Sequence, residues 1–125
     1  MTWNSVKRNT REQGQETEEM ALEFLKNNGL TLISKNFQCR CGEIDLIVDD
    51  NGTIVFVEVK YRKSDKFGGP LLAVSKDKIH KLTKTAQFYL QQAKLNEYNT
   101  PCRFDIVSLL GSMPEPEITW LKNAF

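Results

Sequence analysis

The sequence has a single histidine, only three cysteines, and no apolar run approaching the roughly 18 residues of a membrane span. Each scarcity excludes something. Without a long apolar run, a transmembrane helix is not expected, and Met1 to Arg8 lacks the apolar stretch of a signal peptide. His80 lies among lysines on an amphipathic stretch, so serine–histidine or cysteine–histidine catalysis has no partner set and His80 reads as a surface residue. Cys39 and Cys41 are too close for an ordinary disulfide, and with Cys102 they show no zinc spacing. Free thiols in a reducing cytoplasm are the expected state. Glycine-rich phosphate loops, internal repeats and low-complexity segments are also missing.

What is present centres on Gly42 to Arg62. Two runs rich in β-branched residues, Ile44-Asp45-Leu46-Ile47-Val48 and Ile54-Val55-Phe56-Val57-Glu58-Val59-Lys60, flank Asn51-Gly52. Asn-Gly between such runs is a hairpin signature, because both residues tolerate the positive φ of a two-residue turn. With that turn, Val48 faces Val55, Leu46 faces Val57 and Ile44 faces Val59, giving one wholly apolar face. The other face pairs Ile47 with Phe56, Asp45 with Glu58 and Glu43 with Lys60.

Asp45 against Glu58 is the anomaly. Strands disfavour Asp, and like charges directly opposite in an antiparallel ladder repel. A hard divalent cation such as Mg²⁺ or Mn²⁺ relieves that repulsion, since it takes oxygen ligands from one or two carboxylates plus water. Lys60 shares the face of Glu58, where an ammonium can steady an attacking water or a developing phosphate charge. The structural alternative is a solvated strand end with Lys60 bridging Glu43 and Glu58.

Charge is near balance overall, at +1, but unevenly spread. From Lys60 to Lys84, eight basic residues stand against two acids, Asp65 and Asp77, a net of +6, which leaves −5 for the rest of the chain. A basic segment starting at a carboxylate pair points to a polyanionic ligand. The alternative is a solvated lysine-rich helix.

At 125 residues the chain is long enough for one core. Residues 1–12 read as a flexible polar arm and 13–125 as a single domain. Met20, Ala21, Phe24 and Leu25 form a helical stripe ending at Gly29. That helix offers Glu16, Glu18, Glu19 and Glu23 as a further carboxylate source. Leu30 to Phe37 is a short strand ahead of the hairpin. Ser64 to Val74, with Gly68-Gly69-Pro70, reads as a loop long enough to be functional. Ser75 caps a second helix whose apolar stripe is Ile79, Leu82, Ala86, Phe88, Tyr89 and Leu90. Cys102 to Leu110 is another apolar strand, parallel to the Glu58 strand by the right-handed crossover rule. Ile118 to Leu121 forms a last edge strand or tail, and Phe125 docks on the core. Arg103 and Asp105 share a strand face as an ion pair or, alternatively, Arg103 contacts phosphate. Tyr61 and Phe67 lie near the basic loop as candidates for stacking on bases.

Gly42-Glu43-Ile44-Asp45-Leu46-Ile47 followed by Val55-Phe56-Val57-Glu58-Val59-Lys60-x-Arg62 closely resembles the YraN family of small uncharacterised bacterial proteins. The likeness continues through Phe67-Gly68, Lys78, Arg103-Phe104-Asp105-Ile106-Val107 and Asn123-Ala124-Phe125. It implies the restriction-endonuclease-like fold of Asp…(Asp/Glu)-x-Lys nucleases, an α/β three-layer arrangement with a mixed sheet in the order α-β-β-β-α-β, most similar to archaeal Holliday-junction resolvases. By that resemblance Asp45 and Glu58 are metal ligands and Lys60 the catalytic lysine. Glu18 matches the helix-one Glu of the family, with Thr17 where the family carries Gly.

Together these readings give a Mg²⁺- or Mn²⁺-dependent endonuclease acting on nucleic acid, branched DNA among the candidates. Glu43 and Glu18 complete its acidic cluster, and Arg62, Lys63, Lys66, Lys78, Lys81 and Arg103 meet the nucleic acid. By analogy with resolvases a homodimer is implied. The rivals are a non-catalytic nucleic-acid-binding module on the same fold, and a protein-interaction domain with a vestigial acidic cluster.

Overall fold

The computed structural model describes residues 10–64 and 73–125. The elements are α1 (Thr10–Asn27), β1 (Thr31–Cys39), β2 (Gly42–Asp50), β3 (Thr53–Arg62), α2 (Lys76–Gln92), β4 (Cys102–Leu110) and β5 (Glu117–Leu121). The strands form one sheet in the order β1-β2-β3-β4-β5. Only β3 and β4 run parallel, and the chain between them carries α2. This is a mixed-sheet α/β domain in the expected element order, with β5 as a true edge strand. The first nine residues, and Lys66 and Phe67 of the basic loop, lie outside the described residues.

Each helix covers one face of the sheet. Ala21, Leu22 and Leu25 of α1 pack with Leu46, Val48, Val55, Val57, Val107 and Leu109. Leu82, Ala86 and Leu90 of α2 pack with Ile44, Ile47, Ile54 and Phe56 on the other side. A sheet buried on both faces explains why its central strands read as nearly continuous apolar runs. Phe88, expected in the buried stripe of α2, is instead 43% exposed. The core faces residues 82, 85, 86 and 90, and position 88 falls on the flank of that arc.

Local signals set the boundaries. Gly29, at φ 89°, ends α1, and the Leu30 N–H donates to the Leu25 carbonyl at 3.1 Å. Asn51 and Gly52 take φ values of 49° and 94°, both positive as a type I′ turn demands. Ser75 Oγ accepts from the Lys78 N–H at 3.1 Å and caps α2. Replacing Ser75 with Ala is therefore expected to lower stability by about 1 kcal/mol in urea unfolding, the usual worth of such a cap.

The C-terminus docks as expected. Phe125 stacks on Phe104 with centroids 4.8 Å apart, and the Ala124 N–H donates to the Phe104 carbonyl at 2.7 Å.

Candidate metal and nucleic-acid site

The β2–β3 ladder follows the turn-derived register through Val48–Val55, Ile47–Phe56 and Leu46–Val57, and there it stops. The expected pairs Ile44–Val59, Asp45–Glu58 and Glu43–Lys60 are absent from it. The reason is chemical: Asp45 Oδ2 accepts the Val59 N–H at 2.8 Å, taking the place of a backbone partner. Alternation breaks at the same residue. Ile44 packs toward α2 with Ile47, not with Leu46 and Val48, so the expected wholly apolar face ends at Leu46. The central hairpin thus opens like a fork, with Asp45 in the crotch.

The opened strands bring the two carboxyls together. Asp45 hydrogen-bonds Glu58, and burial first, then the Glu58 charge, pushes its pKa up to about 8. Glu58 is itself buried, at 8% exposure. Two clefts share Asp45. One, of about 120 Å³ toward α2, is lined by Gly42, Glu43, Glu58, Lys78, Lys81 and Leu82. The other, of about 230 Å³ toward α1, is lined by Gln13, Gly14, Thr17, Glu18, Val59 and Tyr61.

Lysines close the site, though not in the pairing of the structural alternative. Lys78, not Lys60, holds Glu58, with Nζ 3.0 Å from Oε2. That hydrogen bond raises the Lys78 pKa. Lys60 donates to the Ala73 carbonyl, and burial lowers its pKa although Glu58 pulls the other way. The side chain read as a nucleic-acid contact is therefore also the counter-ion of the site. The α2 helix approaches closely because Gly42 has no side chain: a methyl there would come within 3.2 Å of Thr85 Oγ1.

Glu18 and Glu43 join through a residue that sequence reasoning missed. Asn36 sits in β1 at φ 52°, and its amide, turned nitrogen-inward, donates to Glu18 Oε1 at 3.0 Å and Glu43 Oε1 at 3.1 Å. The available signal was an Asn in mid-strand, where it is disfavoured unless the backbone turns left-handed. Glu18 also reaches Asp45, and burial raises its pKa. Glu19 is drawn off to Lys35.

Other expected residues are elsewhere. Arg103 lies in β4 beside Val55, toward the turn end of the hairpin, where Asp105 and Asp50 hold its guanidinium. It is not brought to the fork. Arg62 and Lys63 are exposed at the end of β3, and Lys81 pairs with Asp77 at 3.3 Å. Tyr61 spends its hydroxyl on the Gly111 carbonyl at 2.9 Å. His80 is exposed, and all three cysteines are free. Among the described residues no helix is long and apolar enough to cross a membrane.

The donor set fits a hard cation held by two carboxylates. Asp45 and Glu58 are oxygen donors whose repulsion a proton or a cation relieves. Among the described residues no three Asp, Glu, His or Cys side chains converge as a metal cluster. Such an ion would take its remaining positions from water, as Mg²⁺ commonly does.

A family model for the uncharacterised protein family UPF0102 matches residues 17–109, which run from within α1 into β4 and include Glu18, Glu43, Asp45 and Glu58. The chain belongs to the UPF0102 family. A UPF0102 protein of Colwellia psychrerythraea is 52% identical over 129 aligned positions covering the whole of both chains. Another, of Neisseria gonorrhoeae, is 49% identical over 111 residues, 89% of this chain and 92% of its own. That of Nitrosomonas europaea is 45% identical over 113 residues, 90% and 92% of the two chains. The UPF0102 match begins at Thr17, the residue that roofs the α1-side cleft beside Glu18.

Proposed function

We propose that this chain is a Mg²⁺- or Mn²⁺-dependent endonuclease that cleaves phosphodiester bonds in nucleic acid, DNA foremost. The observation that carries the reading is the fork: a central hairpin gives up its ladder to hold two buried carboxyls side by side, with Lys78 ion-paired to Glu58 and Lys60 within reach of the Glu58 charge. A purely structural hairpin has no use for that cost. Asp45 and Glu58 are the residues that would hold the cation. When bound, it supplies Lewis acidity to a phosphodiester oxygen and a water of lowered pKa.

The chain's own groups do the rest. Lys60 places an ammonium where negative charge develops on phosphate. The hydrogen bond from the Val59 N–H fixes Asp45 in orientation. Lys78 neutralises Glu58 and can exchange that carboxylate for a phosphate, which offers the same acceptor chemistry. Arg62, Lys63 and Lys81 meet the backbone without reading sequence. Glu18, tied to Glu43 by Asn36, hydrogen-bonds Asp45 from the α1 side.

The test is turnover on branched, flapped and linear DNA and on RNA, with Mg²⁺, Mn²⁺ or chelator. Cleavage with metal, abolished by chelator and reduced about 10²-fold by Lys60→Ala, is the expected outcome. Binding should weaken with salt, and Lys81→Ala should lessen the log–log slope by about one unit. Lys78→Ala is a poorer probe, because it also strands Glu58. Salt-sensitive binding without turnover would leave the non-catalytic binding module. Absence of both would remove the nucleic-acid reading.

A further inference from the structure

A cavity larger than either cleft at the fork lies elsewhere on the molecule. A groove of about 540 Å³ runs along the C-terminal half of α2 and the loop that follows, with Cys41 and Lys84 at one end and Phe88, Leu95 and Tyr98 along its length. Its apolar walls are open to solvent: Phe88 is 43% exposed, Leu95 39% and Tyr98 89%. The backbone that carries Tyr98 is nevertheless held in place. The Asn96 side chain accepts the Tyr98 N–H at 2.8 Å, and the Asn99 and Thr100 N–H groups both donate to the Asn96 carbonyl. The one acid on the wall, Glu97, accepts a hydrogen bond from Gln87 at 3.2 Å.

The groove continues from the fork. Lys81, which lines the cleft at Glu58, lies on the same helical stripe as Lys84 and Phe88, at i, i+3 and i+7. Seven residues of helix advance about 10 Å. Lys84 has no carboxylate partner among the described residues. A strand of phosphates following these lysines out of the fork would carry its bases over Phe88 and Tyr98.

We propose that this groove is a subsite for unpaired nucleobases, so that the preferred substrate has a single-stranded segment adjoining the cleavage point. The inference rests on the nuclease reading and narrows its substrate class. Cations track the backbone while aromatic faces stack on bases of any identity, the usual division of labour in single-strand binding. Lys81 is shared with Asp77, but the charge of Lys84 argues for this occupant over an apolar peptide, which would leave it unmatched.

The experiment measures binding in chelator, so that no cleavage intervenes. The ligands are a blunt DNA duplex and the same duplex with a short unpaired tail carrying 2-aminopurine, whose fluorescence falls on stacking. Tighter binding of the tailed duplex, with quenching, is expected. Phe88→Ala and Tyr98→Ala should each weaken the tailed duplex about tenfold while leaving the blunt one unchanged. Both residues are exposed, so urea unfolding should be near that of the parent. Equal affinity for the two duplexes, or quenching that survives both substitutions, overturns the subsite and leaves the nuclease reading standing on blunt-duplex binding and metal-dependent turnover. A concentration-dependent dimer abolished by Phe88→Ala would assign the groove to a second copy and also overturn it. Binding of neither duplex at low salt would overturn the subsite, and metal-dependent turnover would then decide the nuclease reading alone.

Discussion

At pH 8 in chelator, the Asp45→Asn protein should unfold at higher urea concentration than the wild type. Asp45 keeps its proton up to about 8 in the folded chain, whereas an unfolded Asp loses it near 3.9. Between those values the folded state binds one proton more than the unfolded state. Stability from this group is complete below about pH 4 and is lost as pH rises through about 8, with a slope of up to ~1.4 kcal/mol per pH unit. Asparagine imitates the protonated acid: its oxygen can accept the Val59 N–H and its nitrogen can donate to Glu58. The variant should lose the slope and gain about 1 kcal/mol at pH 8, where the wild type begins to hold two charged carboxylates in contact.

Millimolar Mg²⁺ or Mn²⁺ should then stabilise the wild type, by about 2.7 kcal/mol at a hundredfold excess over its dissociation constant, and do little for Asp45→Asn. Urea melts of both proteins between pH 5 and 8.5, with chelator and with metal, make the comparison. Parallel pH profiles and identical metal shifts would show that the carboxyls are ordinary structural groups.

Asp105→Ala should cost more than any other single change discussed, about 3–5 kcal/mol. The carboxylate is fully buried. It accepts from Arg103 Nε at 3.0 and 3.2 Å, Trp120 Nε1 at 2.9 Å and the Asn123 N–H at 2.9 Å. Removing it strands a guanidinium that is 17% exposed, an indole N–H and a backbone N–H together. Burial disfavours the Arg103 charge, but Asp105 and Asp50 outweigh it and hold the pKa above its ordinary value. Asp50 keeps Arg103 company at 2.8 Å but is itself less buried, so Asp50→Asn should cost only about 1 kcal/mol. Urea unfolding, followed by tryptophan fluorescence for the loosening of β5, reads both. A loss below about 1 kcal/mol for Asp105→Ala would free Arg103 for the phosphate contact that its position in the structure argues against.

What the residues revealed in advance was whatever depends on local chemistry. Asn51-Gly52 set the hairpin and its first pairs, Gly29 and Ser75 marked helix ends, and the length of chain carrying α2 made β4 parallel to β3. The proximity of Asp45 and Glu58 was legible for the same reason. Their manner of meeting was not, because a side chain that replaces a ladder partner leaves no trace in an alternation pattern. The lysine that pairs with Glu58 was not legible either. Lys60 is two residues away in sequence, but Lys78 arrives on a crossover helix whose rotation the chain alone does not state. Arg103 illustrates the converse, since it carries the charge expected of a phosphate ligand but is spent on two acids at the far end of the sheet.

The left-handed residue in β1 has another effect. Open sheets expose rows of unpaired N–H and C=O groups at their edges, and long regular edges recruit other chains into aggregates. Here β5 is only five residues long, whereas β1 has nine and carries exposed Leu32 and Ile33. The β1 ladder slips between Leu32 and Ser34, and at Asn36 the backbone reverses hand. An incoming strand would find at most a few residues in register before the hydrogen-bonding direction failed. The kink that gathers Glu18 and Glu43 thus also keeps the most vulnerable margin of the sheet from seeding a fibril.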